Sequence, residues 1–319
     1  MGAPAQREPT TTTSRWAAVW IGMPLTMRPA GPRRLGGDLE GTWRSISRRS
    51  PRRLQDRAGA ATARCGHARL THHRTDHPEP ADRLCLGPGE ARQLLAGSPW
   101  RRFVAVGDSV VAGTGDPVDG FRDISWADRL AEWLDAAVGP VAYANLGVPT
   151  LRAAEVRATQ LGPALAFRPD LAVVVAGGND ALRRSFDPVA VERQLEAIVA
   201  PLAAAGATVV TFGLFDLSRT QFVPVPMRAG LRERLSTLNR VVRGLTERVG
   251  GVHVDFFDHV ALDESLLSAD MVHANRRGHA VIAADVARAL AAHVAARPRT
   301  VSRLAPEGSS PGASRPFGP

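Results

Sequence analysis

Leu171-Ala172-Val173-Val174-Val175-Ala176 is an unbroken apolar run that leads straight into Gly177-Gly178-Asn179-Asp180. A run this short, rich in valine and closed by a glycine pair, predicts a strand buried on both faces and ending in a polar turn. The same pattern stands upstream, where Phe103-Val104-Ala105-Val106 enters Gly107-Asp108-Ser109. Further strands are expected at Val141–Leu146, Thr208–Phe212 and Val252–Phe256. Helical periodicity fills the intervals. Trp126, Leu130, Trp133 and Leu134 share one face of Ser125–Val138, and Leu151–Leu165 and Leu231–Val249 read the same way. Pro188–Ala204 opens on a proline, where a missing N–H costs little, and the Ala-rich Arg276–Ala296 is stopped by Pro298. Apolar strands alternating with helices predict an α/β fold: a three-layer α/β/α sandwich on a five-stranded parallel sheet.

Outside this block the texture changes. Residues 1–98 show no sustained period and carry a threonine run (Thr10–Thr13) and the Arg-rich cluster Arg44–Arg57. Such a composition predicts a disordered N-terminal extension, because it offers too little apolar surface to offset chain entropy. Residues 99–297 form the expected folded domain, 298–319 read as a Gly/Ser/Pro tail, and a chain starting near Pro99 is expected to keep its activity. Charge follows the same division. Residues 1–102 hold 18 Arg against 8 Asp and Glu, the remainder 22 Arg against 23, so the net charge of +9 belongs to the arm. No aromatic platform or folded nucleic-acid motif accompanies the Arg44–Arg57 cluster, and no nucleic acid is expected as a partner. A non-catalytic α/β domain with an Arg-rich nucleic-acid-binding arm remains the rival from another class. Every basic residue is Arg. Both cysteines, Cys65 and Cys85, lie in the N-terminal third, which fits a reducing, cytoplasmic setting. Secretion through the apolar stretch Trp16–Met27 is the alternative. No apolar run reaches bilayer length, so no transmembrane segment is expected.

In a parallel sheet, reactive residues gather beyond the carboxyl ends of the strands. There the sequence places Asp108-Ser109 after the first strand, Asn179-Asp180 after the third, and Asp270-Met271-Val272-His273 after the fifth. A hydroxyl, an amide and a carboxylate–imidazole pair are the parts acyl transfer requires. Serine needs a base, the base needs a partner to fix its tautomer, and the oxyanion needs donors already aimed at it.

These residues resemble the SGNH (GDSL-type) serine hydrolases. Gly107-Asp108-Ser109-Val110 is similar to their first block, Gly177-Gly178-Asn179-Asp180 to their Gly-x-Asn-Asp block, and Asp270–His273 to their closing Asp-x-x-His block. The resemblance spans about 200 residues and implies a flavodoxin-like sheet and an esterase or lipase acting on a small-molecule acyl ester, without metal or organic cofactor. It implies Ser109 as nucleophile, His273 as general base and Asp270 as its orienting partner. Asn179 and the backbone N–H of Ser109 are the implied oxyanion donors. An O-acyl transferase or a sugar O-deacetylase is the alternative on the same residues. One block departs from the pattern: in Asn145-Leu146-Gly147-Val148-Pro149-Thr150, Thr150 stands where the family has an oxyanion-hole glycine. Thr150 is the expected third donor if an ordinary backbone angle suffices, with Gly147 as fallback, since threonine avoids the positive φ that glycine adopts.

Other polar residues have simpler readings. Asp108 and Asp180 read as turn formers and His279 as a packed histidine, while His253 and His259 flank the fifth strand without a visible partner. The loop Phe215–Met227 carries Phe222, Val223, Val225 and Met227 between prolines; it reads equally as the lining of an acyl pocket or as a rigid surface loop. Cys65, His67, His72, His73, His77 and Cys85 fit no zinc spacing. The nucleophile elbow Gly-x-Ser-x-Gly is absent at Ser109, which excludes the α/β-hydrolase arrangement. Oligomeric state leaves no mark in the sequence.

Overall fold

A computed structural model describes residues 79–221, 223–259 and 264–296. Five strands, β1 (Arg102–Gly107), β2 (Ala142–Asn145), β3 (Leu171–Val175), β4 (Thr208–Gly213) and β5 (Val252–Asp255), form one parallel sheet in the order β2-β1-β3-β4-β5. This is the flavodoxin-like order that the family resemblance implied. It creates a switch point between β1 and β3, where the connections leave in opposite directions and open a crevice at the carboxyl edge.

Eight α-helices cover the sheet among the described residues: α1 (Pro88–Leu94), α2 (Ser109–Ala112), α3 (Trp126–Val138), α4 (Ala153–Ala166), α5 (Gly178–Ala181), α6 (Pro188–Ala204), α7 (Val225–Arg248) and α8 (Arg276–Ala296). Alternation along each strand decides which helix packs where. Phe103, Ala105, Leu171 and Val173 meet α1, α3 and α8 on one face. Val104, Val106, Ala172 and Val174 meet α4, α6 and α7 on the other. Both faces are covered, so the strands are apolar without interruption. Of these helices, α8 has the length and apolar content to cross a bilayer. Its Val281, Ile282, Val286 and Leu290 are buried, as befits a core helix.

Two expectations need correction. Residues 79–98 do not belong to a disordered extension. Ala91 and Leu95 are fully buried in the core, and the Glu79 carboxylate pairs with the Arg129 guanidinium inside the protein. The Arg122 N–H donates to Glu79 at 2.9 Å, and Arg288 donates to the carbonyl of Leu84 at 3.0 Å. The folded unit therefore reaches back at least to Glu79. The apolar content of this stretch is too sparse to show a period, and it is ordered by docking instead. Residues 1–78 and 297–319, with the Arg-rich cluster and the apolar stretch Trp16–Met27, lie outside the described residues. The second correction is to α7, which begins at Val225 rather than Leu231. Pro224 serves as its N-cap and Pro226 falls in its first turn, where proline costs no hydrogen bond. Prolines that read as a loop thus start a helix.

Candidate active site

β1 delivers the nucleophile turn. Gly107, its last residue, has φ +155°, and a Cβ there would stand 1.9 Å from the Val175 carbonyl oxygen, so only glycine lets β1 and β3 approach this closely. Asp108 caps the following short helix by accepting the Val110 N–H at 3.1 Å, and Ser109 is the first residue of α2. Trp126 holds the turn from outside, its indole N–H donating at 2.7 Å to the Val110 carbonyl. From β2, Asn145 bridges to the same helix, with Nδ2 donating to the Val111 carbonyl at 2.8 Å.

The segment after β5 carries the base. Asp270 Oδ1 accepts the backbone N–H groups of Val272 and His273, each at 3.0 Å, which folds the carboxylate against the imidazole. Met271 between them has φ 56°. The Ser268 N–H donates to the His273 carbonyl at 2.8 Å, and the Asp116 N–H to Ser268 Oγ at 2.9 Å, tying this segment to the one after α2.

The structure brings together Ser109, His273 and Asp270. His273 Nε2 lies 2.8 Å from Ser109 Oγ, and Nδ1 lies 2.6 Å from Asp270 Oδ2. Burial works against the Asp270 charge, but the hydrogen bonds from the His273 ring and from the backbone of His273 and Val272 outweigh it and hold its pKa down to about 2. A carboxylate ionised at neutral pH accepts the Nδ1 proton. Nε2 is then the free acceptor that faces the serine hydroxyl. Ser109 is buried, yet it lines an open-mouthed cavity of about 200 Å³ together with Asn179 and His273.

Asn179 sits in α5, after β3. Its Nδ2 donates to the Leu151 carbonyl at 2.8 Å and to Asp108 Oδ2 at 3.3 Å. Burial pushes the Asp108 carboxyl up to about 7, against the opposing pull of the Val110 N–H and of His273. Asp180 accepts the Ala153 N–H at 2.9 Å and so caps α4, in keeping with its reading as a turn former. His279 is packed: Nδ1 accepts the Trp126 N–H at 3.3 Å and Nε2 lies 3.2 Å from the Thr114 carbonyl. Burial, against the pull of that carbonyl, holds its pKa down to about 4. His253 and His259 do have partners, Thr211 Oγ1 at 2.9 Å and Asp285 Oδ2 at 2.9 Å.

Thr150 is exposed and is not part of the cavity wall. It does adopt φ 72°, the left-handed conformation that the sequence argument denied to threonine. Strain of this kind persists only where the surroundings impose it. One residue on, the Leu151 carbonyl accepts the Asn179 Nδ2 N–H at 2.8 Å. The fallback Gly147 is already committed, because its N–H donates to Asn145 Oδ1 at 2.9 Å.

Sequence reading missed Gln160. Buried in α4, it accepts the Gly107 N–H and donates to the Gly107 carbonyl, each at 2.8 Å. Its spacing with Val156 and Ala164 puts it on the apolar face of that helix, and a glutamine there was the available signal. The Phe215–Met227 segment supplies Phe215, Leu217, Val223 and Met227 to the cavity wall, so of its two readings the pocket lining holds for these residues. Val225 is exposed, and Phe222 lies outside the described residues. Among the described residues no group of three His, Cys, Asp or Glu is placed to hold a metal ion. Cys65, His67, His72, His73 and His77 lie outside them, and burial pushes the Cys85 thiol up to about 12.

The family model for the GDSL-like lipase/acylhydrolase family matches residues 105–281. No curated protein sequence matches the chain. Among solved structures, it is similar to a catalytic mutant of an acetylxylan esterase from Geobacillus stearothermophilus, at 17% identity and a TM-score of 0.50 over 61% of this chain and 94% of that one. A lipase/acylhydrolase from Enterococcus faecalis aligns at 21% identity and a TM-score of 0.48 over 60% of this chain and 96% of that one. At 17% identity the likeness to the acetylxylan esterase is one of fold.

Proposed function

The chain belongs to the GDSL-like lipase/acylhydrolase family, and from that membership we propose a hydrolase that cleaves carboxylic esters through an acyl-enzyme on Ser109. The observation that carries the reading is the continuous hydrogen-bonded line from Ser109 Oγ through His273 to Asp270.

In this mechanism His273 Nε2 takes the Ser109 proton as Oγ forms a bond to the substrate's carbonyl carbon. Asp270 keeps Nδ1 protonated and balances the imidazolium. The tetrahedral intermediate collapses by breaking the bond to the alcohol oxygen, which leaves with the proton held by His273. Water then attacks the acyl-enzyme and gives its proton to His273. Breakdown of the second intermediate releases the carboxylic acid and returns the proton to Ser109. The oxyanion is met by the Ser109 N–H, which opens α2, and by Asn179, whose amide is anchored on the Leu151 carbonyl at 2.8 Å and exchanges its longer 3.3 Å bond to Asp108 for the oxyanion. No third donor is assigned in this reading, because Thr150 does not line the cavity and the Gly147 N–H is taken by Asn145.

A fluorophosphonate probe tests the reading. It is expected to label the wild-type protein at Ser109 at neutral pH and to leave Ser109→Ala unlabelled, with p-nitrophenyl ester hydrolysis lost in parallel. A folded wild-type protein that resists the probe would remove the activated serine from consideration.

A further inference from the structure

The cavity beside Ser109 is apolar well beyond the reacting groups. Met227, Leu231 and Leu235 are spaced four apart on α7 and present one stripe to it. Leu214, Leu217 and Val223, from the segment after β4, pack in the same apolar cluster and extend the wall. Phe256 is stacked edge-on against Phe212 and Phe215, with ring centroids 5.4 and 5.5 Å apart, and the three rings complete the wall. Beyond the reacting groups, few polar side chains reach the cavity. His279 has both ring nitrogens engaged, and the Nε–H of Arg234 is held by the Ala181 carbonyl at 2.7 Å. Recognition of a sugar needs donors and acceptors spread round the wall, whereas beyond the reacting groups and the adjacent Asp108 the polar side chains in this lining are Thr114, Arg234 and His279.

The volume sets a length. An apolar cavity of about 150 Å³ takes the six carbons of benzene, so at the same ratio about 200 Å³ takes roughly eight. An acetyl group would leave most of the space next to leucine and phenylalanine unfilled, forfeiting the contacts those walls offer. A hexadecanoyl chain would overrun it.

We propose that this cavity is the acyl-chain site and that the substrates are esters of medium-chain acids, of roughly six to ten carbons. The inference rests on the acyl-enzyme reading, since it takes the carbonyl carbon to lie at Ser109. Chain length is then read by burial alone. Each methylene withdrawn from water inside the pocket raises kcat/KM by up to about fourfold, and the gain stops where the wall ends.

The full chain is assayed with p-nitrophenyl acetate, butyrate, octanoate, dodecanoate and hexadecanoate, alongside fluorophosphonate labelling. The expected profile rises at least tenfold in kcat/KM from acetate to octanoate and falls again by hexadecanoate. Met227→Trp, which fills the cavity from its α7 side, is expected to cut the octanoate-to-acetate ratio at least tenfold, and Met227→Ala to move the optimum to a longer chain. Labelling at Ser109 together with a flat profile, or with acetate preferred, overturns the medium-chain inference and leaves the acyl-enzyme standing. Neither labelling nor turnover of any ester overturns both.

Discussion

Gln160 and Gly107 exchange two hydrogen bonds, N–H to Oε1 and Nε2 to the carbonyl, each 2.8 Å long. A side chain of α4 thus substitutes for a missing strand partner at the end of β1, two residues before Ser109. Gln160→Leu leaves the buried Gly107 N–H without a partner, while the Gly107 carbonyl keeps the Val148 N–H at 3.2 Å, and stability is expected to fall by about 1–3 kcal/mol. Because the turn that carries Ser109 loosens, kcat is expected to fall about tenfold with KM little changed. Urea unfolding and steady-state kinetics check both. A stable variant with unaltered kcat would mean that Gln160 does not position the turn.

The Asp270–His273 contact makes a separate claim. Asp270→Asn keeps the shape but no longer fixes the Nδ1 proton, so kcat is expected to drop by about three to four orders of magnitude at pH 7 while the fold persists. A loss below tenfold would place the imidazole's orientation elsewhere.

Asp108 and His279 act in opposite directions on stability. Burial raises the Asp108 pKa from 3.8 to about 7, so its contribution is complete below 3.8 and is lost as pH rises through about 7. Burial lowers His279 from 6.5 to about 4, so its contribution is complete above 6.5 and is lost as pH falls through about 4. Between pH 4 and 6.5 the two slopes offset each other. Asp108→Asn removes one of them, and the variant's stability is expected to rise with pH across that window by up to about 1.4 kcal/mol per unit. Urea midpoints at pH 4.5 and 6.5 measure it; a variant with the parent's slope refutes the pairing.

Thr150 is held at φ 72°, at a cost of about 1–2 kcal/mol for an L-residue, partly offset by the entropy glycine would lose. Thr150→Gly is therefore expected to raise Tm by a few degrees without loss of kcat. A lower Tm would show that the turn is not strained.

Glu79 is the buried partner of Arg129, whose guanidinium pKa is already depressed by burial. Glu79→Ala leaves that cation alone and is expected to cost about 3–5 kcal/mol in urea unfolding. A change under 1 kcal/mol would return residues 79–98 to the status of a dispensable arm.

Much of this protein is written locally. Phe103–Val106 and Leu171–Val175 are continuous apolar runs, legible as doubly covered strands because only burial on both faces removes the alternation. Ser109 and Asn179 were legible because each sits in a short block directly beyond a strand, and Asp270 and His273 because their block stands just before the last helix. Less was legible where contacts are made at long range. The docking of Ala91 and Leu95, the grip of Gln160 on Gly107 and the early start of α7 leave no periodic trace.

The sequence alone determined the five strands, most of the helices and the set of candidate reactive side chains, since hydrophobic period and turn chemistry act over a few residues. Tertiary structure alone decided which of those side chains meet: the 2.8 Å between residues 109 and 273, the commitment of the Gly147 N–H to Asn145, the left-handed angle at Thr150 and the size of the apolar cavity. Distances and volumes depend on how separate elements pack against one another, and packing is a property of the whole chain.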